Sequence, residues 1–378
     1  MSTANINPEM LIWARERSGF SVSQFAKKMS KTEERLLEWE TGHRLMTFKQ
    51  ALAFAEKAYI PFGYLFLSEP PVEELLLPDL RTIDGQGVRR PSAELLDLIK
   101  LMLQRQEWYK DYLQQQLVEP STIVGSFSNS YGVVAIVTDM RLKLEVPEHP
   151  NRGSWEDYYR DLVSRIEALG ILVMRQGDLG HFTRPLQVSE FRGFAIADSY
   201  APMIFVNHAD APGARLFTLI HELCHIWIGQ SGVSDGDTQT HRREEVLCNA
   251  VAAEFLVPER EFIGLWQSGL DSWRDNLPVL ESRFHVSKWA LARRALTCNY
   301  ISQEEYCRYI ADEKEAYKNR DSTGGPTYYT TKKAQISQNF SKAVVSQALS
   351  GQMLLREAAQ LLAMKPSNIS NFAKELQV

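Results

Sequence analysis

The chain contains the pentapeptide His221-Glu-Leu-Cys-His225. Two residues spaced four apart lie on one face of an α-helix, so both imidazoles can hold the same metal ion. Zinc suits two neutral imidazoles with one carboxylate and keeps a fourth position for water. Glu222 directly follows the first histidine and can accept a proton from that water. The pentapeptide therefore predicts a hydrolytic zinc site with Glu222 as the general base.

A candidate for the third metal ligand lies twenty residues after the second histidine, in the segment 243–258. The apolar residues of this segment repeat with helical spacing, and a proline ends it. Glu245 and Asn249 are four residues apart and share a helical face. Glu245 can therefore complete the metal site, while Asn249 orients a ligand histidine. Glu244 is the alternative ligand, but its neighbour at the same spacing is Cys248, a poorer orienting group.

The segments before the pentapeptide predict a helix, three strands and then the helix that carries the histidines. The predicted helix spans 153–170, and the strands span 171–174, 191–197 and 203–206. We expect Asp210 to cap the start of the motif helix. This order is typical of zinc peptidases, in which a sheet edge beside the metal helix can hold an extended substrate. Residues 203–207 are the candidate for that edge.

Three blocks around the metal site resemble the ImmA/IrrE family of bacterial metallopeptidases. The blocks are residues 215–225, 245–249 and 252–258, and with the preceding strands they cover roughly residues 130 to 300. The resemblance implies a zinc peptidase that cleaves a partner transcriptional repressor or antitoxin and so induces phage, mobile-element or stress genes. It also implies zinc ligation by His221, His225 and Glu245.

Two cysteines and three histidines of this region have weaker predicted roles. Cys224 and Cys248 stand where the family usually has Gly and Ala, and we expect them to pack in the core. His181, His208 and His241 are candidates to stabilise a tetrahedral oxyanion, and the sequence does not select among them.

The first seventy residues predict four short helices with well-marked ends. Ser21 with Gln24 and Thr47 with Gln50 have the spacing of capping boxes. The third predicted helix ends in Trp39-Glu-Thr-Gly42. Here the chain resembles helix-turn-helix domains of the phage-repressor (XRE-like) type, and many ImmA/IrrE relatives carry such a domain.

DNA binding by this part of the chain is one of two open alternatives. In such domains the second helix of the motif enters the major groove, and the candidate contacts are Lys31, Thr32 and Arg35. Residues 1–72 nevertheless hold nine Lys and Arg against eight Asp and Glu, so their surface is poorly equipped for phosphate contacts. The alternative is docking on a related repressor protein.

Composition and charge describe a soluble cytoplasmic protein. The net charge is -5 and the pI is about 6.0, which argues against a generally basic nucleic-acid-binding surface. The four cysteines form no CxxC pair, which is typical of a reducing compartment. We find neither a signal peptide nor an apolar run of the ~18 residues that span a bilayer, and therefore expect no membrane association.

Together these patterns predict an α+β, mostly helical fold in four parts. They are a helix-turn-helix domain (1–72), a linker with a long helix (73–125), a zincin-like peptidase domain with a small sheet (126–300) and a helical C-terminal region (301–378). The leading functional hypothesis is a zinc endopeptidase acting on a repressor or antitoxin. The alternative is a DNA-binding regulator or antitoxin with a structural or vestigial zinc site.

Overall fold

The computed structural model describes residues 3–73, 91–150, 153–180, 183–234, 243–318 and 328–378. The chain forms two compact units. The first contains residues 1–76 and 81–101, and the second contains residues 77–80 and 102–378. The division into two compact units does not test the four-part organisation predicted from the sequence, which stays a prediction. The predicted break at 321–326 and most of the linker lie outside the described residues.

The first unit consists of short helices around one apolar core. Its elements are α1 (Pro8–Arg17), α2 (Val22–Lys28), α3 (Glu33–Glu40), α4 (Phe48–Lys57), a 3₁₀ helix (Phe62–Phe66) and the first residues of α5 (Ala93–Gln115). Both predicted capping boxes are present. The side chains of Ser21 and Thr47 accept from the backbone N–H groups of Gln24 and Gln50, and the side chains of these glutamines accept from the backbone N–H groups of Ser21 and Thr47. These caps satisfy N–H groups that have no partner within the helix. The helix starts inferred from the sequence are therefore confirmed here.

A buried ion pair joins α1 to α3 in this unit. Arg15 donates from Nε to Glu40 Oε1 at 2.7 Å and from Nη2 to Glu40 Oε2 at 3.1 Å. The two residues are only 8% and 5% exposed. Because both charges have left water, each depends on the other for compensation. The exposed carboxylate of Glu16 lies 3.5 Å from Arg15 and is a weaker second partner.

We expect Glu40→Ala to lower the free energy of unfolding by about 2 kcal/mol. This is less than the ~3–5 kcal/mol typical of a broken buried pair, since Glu16 still compensates part of the Arg15 charge. Glu34→Ala is the matched control, because Glu34 is exposed on the same helix, and we expect a change within about 0.5 kcal/mol. Urea unfolding followed by circular dichroism measures both. Equal midpoints for the two variants would contradict the argument.

The second unit is mostly helical and contains one small mixed sheet. Its elements after α5 are α6 (Val133–Leu144), α7 (Trp155–Ala168), β1 (Leu172–Gln176), β2 (Gly193–Ile196), β3 (Met203–Asn207), α8 (Pro212–Trp227), β4 (Gly232–Ser234), α9 (Arg243–Leu256), α10 (Glu259–Leu265), α11 (Asn276–Phe284), α12 (Lys288–Thr297), α13 (Gln303–Lys318), α14 (Tyr328–Gln335), α15 (Gln338–Leu349), α16 (Leu355–Leu361) and α17 (Ile369–Leu376). The predicted α+β, mostly helical fold class is confirmed. None of the described helices is long and apolar enough to cross a membrane.

The sheet has the order β1-β3-β2-β4, with β1 parallel to β3 and the other pairs antiparallel. β3 pairs on both sides, so the prediction that residues 203–207 form a sheet edge is wrong. All five residues of β3 are buried, and a strand covered on both faces shows a continuous apolar run instead of alternation. Such a run marks a strand but does not reveal its position in the sheet. Among the described residues, β1 and β4 are the outer strands.

The helix that carries the histidines, α8, is buried over most of its length and packs against α9 and the sheet. Its start differs from the prediction by one residue. Ala211 occupies the N-cap position, and Asp210 instead accepts a hydrogen bond from the Ala211 amide at 2.7 Å. Asp210 also lies 3.4 Å from Arg192, so its carboxylate joins the start of α8 to the residue preceding β2.

Helices α14 and α15 pack against β1, in the part of this unit that precedes α8. The buried Glu167 of α7 accepts from the Gln338 amide at 3.0 Å, and its backbone carbonyl accepts from Asn339 at 2.7 Å. The buried Arg105 of α5 donates to the carbonyl of Leu361 at 2.8 Å. These contacts make the helices after α13 part of the second unit, whereas α13 itself packs against α12.

Candidate metal centre

Three predicted ligands converge where α8 packs against α9. The Nε2 atoms of His221 and His225 lie 3.2 Å apart. Glu245 places Oε2 3.2 Å from His221 Nε2 and Oε1 3.2 Å from His225 Nε2. One ligand atom from each residue lies within 4.8 Å of the others, and this group could hold a metal ion. The helical spacing within α8 and the packing of α9 thus produce a site with two nitrogens and a carboxylate.

Asn249 lies behind one of the ligand histidines. Its Oδ1 is 3.2 Å from His221 Nδ1. Because an amide oxygen only accepts, this contact favours the His221 tautomer with the proton on Nδ1 and a free lone pair on Nε2. Glu244, the alternative ligand, instead accepts from Asn129 at 2.8 Å. The geometry therefore favours Glu245 over Glu244 as the third ligand, in agreement with the four-residue spacing between Glu245 and Asn249.

The carboxylate of Glu245 is held in its charged form. Burial alone would raise its pKa, but hydrogen bonding to His221 and His225 keeps the pKa of Glu245 well below its usual range. A carboxylate that stays ionised in a partly buried position is the form that ligates a metal. This charge state follows from the two histidine contacts.

Glu222 has a different environment although it is next to a ligand. The residue is fully buried, and neither carboxylate oxygen has a hydrogen-bond partner among the described residues. Burial raises the pKa of Glu222 to about 8. Ser234 Oγ lies in the same cleft, and its proximity to the carboxylate offsets part of the effect of burial on the pKa of Glu222. A buried carboxylate with a raised pKa that lies in a cleft beside possible metal ligands is a candidate functional group.

β2 approaches Glu222 so closely that it requires a glycine. A Cβ atom at Gly193 would lie 2.8 Å from Glu222 Oε1, 2.8 Å from the Phe205 carbonyl and 2.7 Å from Thr218 Cγ2. One of these contacts is backbone, which cannot rotate away. Gly193 therefore allows β2 to lie against the face of α8 that carries Glu222.

The site opens into a cleft with a volume of about 110 Å³. Its wall combines the metal-site residues with side chains from the start of α8, from β4 and from α12 and α13. The lining residues are Arg192, Gly213, Ala214, Phe217, Thr218, His221, Glu222, Ser234, Glu245, Asn249, Trp289, Ala290, Arg293 and Tyr306. Trp289, Arg293 and Tyr306 were not predicted as site residues. The only sequence signal for the first two is their spacing of four within a predicted helix.

The remaining predicted residues that the structure describes do not line this cleft. His208 contacts Arg215 through Nε2 at 2.9 Å, and burial with the nearby arginines lowers its pKa to about 4. It is absent from the described cleft residues, and the other two oxyanion candidates, His181 and His241, lie outside the described residues. Cys224 and Cys248 are buried in the core, as expected of packing residues.

The candidate nucleic-acid contacts belong to the first unit. Lys31 and Thr32 are exposed, and Thr32 caps α3 by accepting from the Arg35 amide at 3.2 Å. Arg35 pairs with Glu38 at 3.1 Å, so Glu38 compensates part of the charge of Arg35. Two of the three residues thus contribute to the local structure of α3.

Comparison with known proteins supports a metallopeptidase-type domain. Residues 167–296 match the peptidase M78 family model, described as the IrrE N-terminal-like domain. This match supports the ImmA/IrrE family, and its range contains both metal helices. Residues 336–375 match a domain of unknown function, DUF8813. A search of curated proteins finds no match.

We expect Asn249→Ala to weaken metal binding about 10- to 100-fold, because His221 loses the group that fixes its tautomer and ring orientation. Competition with a chromophoric chelator measures the affinity. Asn129→Ala is the matched control, since Asn129 contacts the alternative ligand Glu244. A larger loss for Asn129→Ala than for Asn249→Ala would show that the ligand assignment is wrong.

We expect Gly193→Ala to destabilise the second unit by about 1–3 kcal/mol, as overpacking of a close contact does. Gly264→Ala is the control, because a Cβ at this helical glycine meets nothing within 4 Å. Thermal unfolding measures both variants. If Gly193→Ala unfolds at the same temperature as Gly264→Ala or above it, β2 does not lie against Glu222 as described.

Proposed function

We propose that the chain is a zinc-dependent endopeptidase that cleaves a partner transcriptional repressor or antitoxin. One observation carries the proposal: His221, His225 and Glu245 converge beside a buried Glu222 whose carboxylate has no hydrogen-bond partner among the described residues. A purely structural metal site has no need for such a carboxylate. The match to a peptidase family over both metal helices supports the same conclusion.

The donor set fits zinc. Two imidazole nitrogens and one carboxylate are the ligands of catalytic zinc in several hydrolases. The contact with Asn249 leaves the His221 Nε2 lone pair directed at the other two ligands. When bound, zinc lowers the pKa of water toward ~7 and polarises the scissile carbonyl.

Glu222 performs the proton transfers in this proposal. Its carboxylate accepts the proton of the attacking water and delivers it to the nitrogen of the leaving amine. The absence of a described protein partner leaves both oxygens available, and Gly193 leaves room for them. Proton transfer by a positioned carboxylate contributes typically about 10²–10⁴-fold to the rate.

We also propose that the substrate backbone lies along β4. Residues 203–207 are excluded by their central position, whereas among the described residues β4 pairs only with β2. Ser234, the last residue of β4, lines the cleft. Strand addition would use the backbone groups of β4, which recognise a peptide independently of its sequence.

The proposed partner is a protein that the first unit recognises. Large apolar side chains of α3, α4 and the turn between them remain exposed, namely Leu37, Leu45, Phe48 and Leu52. Glu33 and Glu34 are exposed at the start of α3, where DNA phosphates would be repelled. Both observations favour docking on a repressor or antitoxin over DNA binding.

DNA binding through residues 1–72 is the alternative, supported by the exposed Lys31 and Thr32. A mobility-shift assay over a range of salt concentrations distinguishes the two. DNA binding would weaken steeply as salt rises, whereas docking through apolar side chains would not. Salt-sensitive DNA binding without any proteolysis would favour a DNA-binding regulator whose zinc site is structural or vestigial.

We expect purified protein to contain about one zinc per chain. Glu222→Gln should retain the metal and lose cleavage by at least about 10²-fold, because it removes the proton acceptor but no ligand. The substrate tested first is the repressor encoded nearest to this chain, and mass spectrometry locates the cleavage. Glu244→Gln is the matched control and should cleave normally. Purified protein without metal, or undiminished cleavage by Glu222→Gln, would contradict the proposed mechanism.

A further inference from the structure

The wall of the cleft contributed by α12 and α13 carries a positive charge that the proposed mechanism does not use. Trp289 and Arg293 are four residues apart on α12, so both project from one face of the helix into the cleft. Tyr306, on α13, lines the same wall. The guanidinium carbon of Arg293 lies 5.7 Å from the centre of the Tyr306 ring. A cation–π contact of this kind holds the guanidinium beside the ring and leaves its outer N–H groups free to donate.

Arg293 differs from the neighbouring arginines in its partners. Arg294, the next residue, is buried and pairs with Glu254 and, at 3.6 Å, with Glu259. Arg192, at another wall of the cleft, lies 3.4 Å from Asp210. The described residues provide no carboxylate within 4.0 Å of Arg293. The side chain is half-buried in a cleft and has no acidic partner there.

The surroundings of Arg293 strengthen its attraction for an anion. Trp289, Phe217 and Tyr306 make much of the cleft wall aromatic, and Ala214 and Ala290 add small apolar surface. Low-dielectric walls increase the interaction between a guanidinium and a carboxylate, and the two can form parallel hydrogen bonds. The cleft also contains Glu222 and Glu245, so it favours a single negative charge over a doubly charged phosphate.

We propose that Arg293, supported by Trp289 and Tyr306, is a specificity-determining residue that binds a carboxylate of the peptide substrate near the scissile bond. The carboxylate is either an Asp or Glu side chain or the free C-terminus of the peptide. This inference rests on the proposed peptidase function, because it requires a peptide in the cleft. The cleft would then select cleavage sites at which a negatively charged group lies next to an apolar segment of the peptide.

The test uses the zinc-loaded full chain and a mixture of peptides of defined sequence, with cleavage sites identified by mass spectrometry. We expect cleaved peptides to carry an acidic group at one fixed position, preferred over the neutral amide by about 10- to 100-fold. Arg293→Gln should lose this preference, Arg293→Lys should keep part of it, and Arg293→Glu should shift the preference to Lys and Arg. Peptides with free and amidated C-termini distinguish the two sources of the carboxylate.

Arg308→Gln is the matched control. Arg308 is exposed on α13, two residues after Tyr306, and pairs with the exposed Glu304, so this variant removes an equal charge outside the cleft. It should keep the wild-type preference. Thermal unfolding verifies that each variant is folded. Cleavage without an acidic preference, or a preference unchanged in Arg293→Glu, would overturn the inference while leaving the peptidase function intact.

A chain that binds zinc but cleaves no peptide would instead contradict the proposed function. The inference is then decided by affinity selection from the same peptide mixture. Wild-type protein should retain acidic peptides about 10- to 100-fold better than their amide counterparts, and Arg293→Gln should not. Equal retention by the two proteins would refute a carboxylate-binding role for Arg293.

Discussion

The contact between α8 and α9 is the interaction on which the site depends. The two helices pack through buried residues that include Leu223 and Cys224 on one side and Cys248 and Val251 on the other. Side chains at the border of a close-packed core are held in defined rotamers. The carboxylate of Glu245 therefore meets both imidazole Nε2 atoms at 3.2 Å. Two buried cysteines, where the resemblance leads one to expect smaller residues, take part in this packing.

The sheet supplies the second constraint, because β2 covers the face of α8 that carries Glu222. The close approach at Gly193 removes this carboxylate from water without giving it a described hydrogen-bond partner. Burial of such a group costs stability, and proteins tolerate the cost mainly at functional sites. The close packing of β2 on α8 therefore accounts both for the favourable apolar contacts around Glu222 and for the cost of burying its carboxylate.

The cleft has two chemically different walls. One carries the metal ligands on α8 and α9, and the other carries Trp289, Arg293 and Tyr306 on α12 and α13. The match to the peptidase family ends at residue 296, so Tyr306 lies beyond it. The first wall carries the residues of the proposed reaction, and the second carries those proposed to select the substrate. Residues outside the matched region therefore help to shape the candidate active site.

Local signals along the chain were enough to predict several elements of the site. Helical spacing indicated that His221 and His225 share a face, that Glu245 and Asn249 share another, and where the capped helices begin. Packing between distant segments leaves no such local signal. It placed β3 in the centre of the sheet, brought α12 and α13 to the cleft and buried Glu222 under Gly193. Spacing along one element fixes which side chains share a face, whereas the partner of that face is set by the burial of apolar surface across the whole unit.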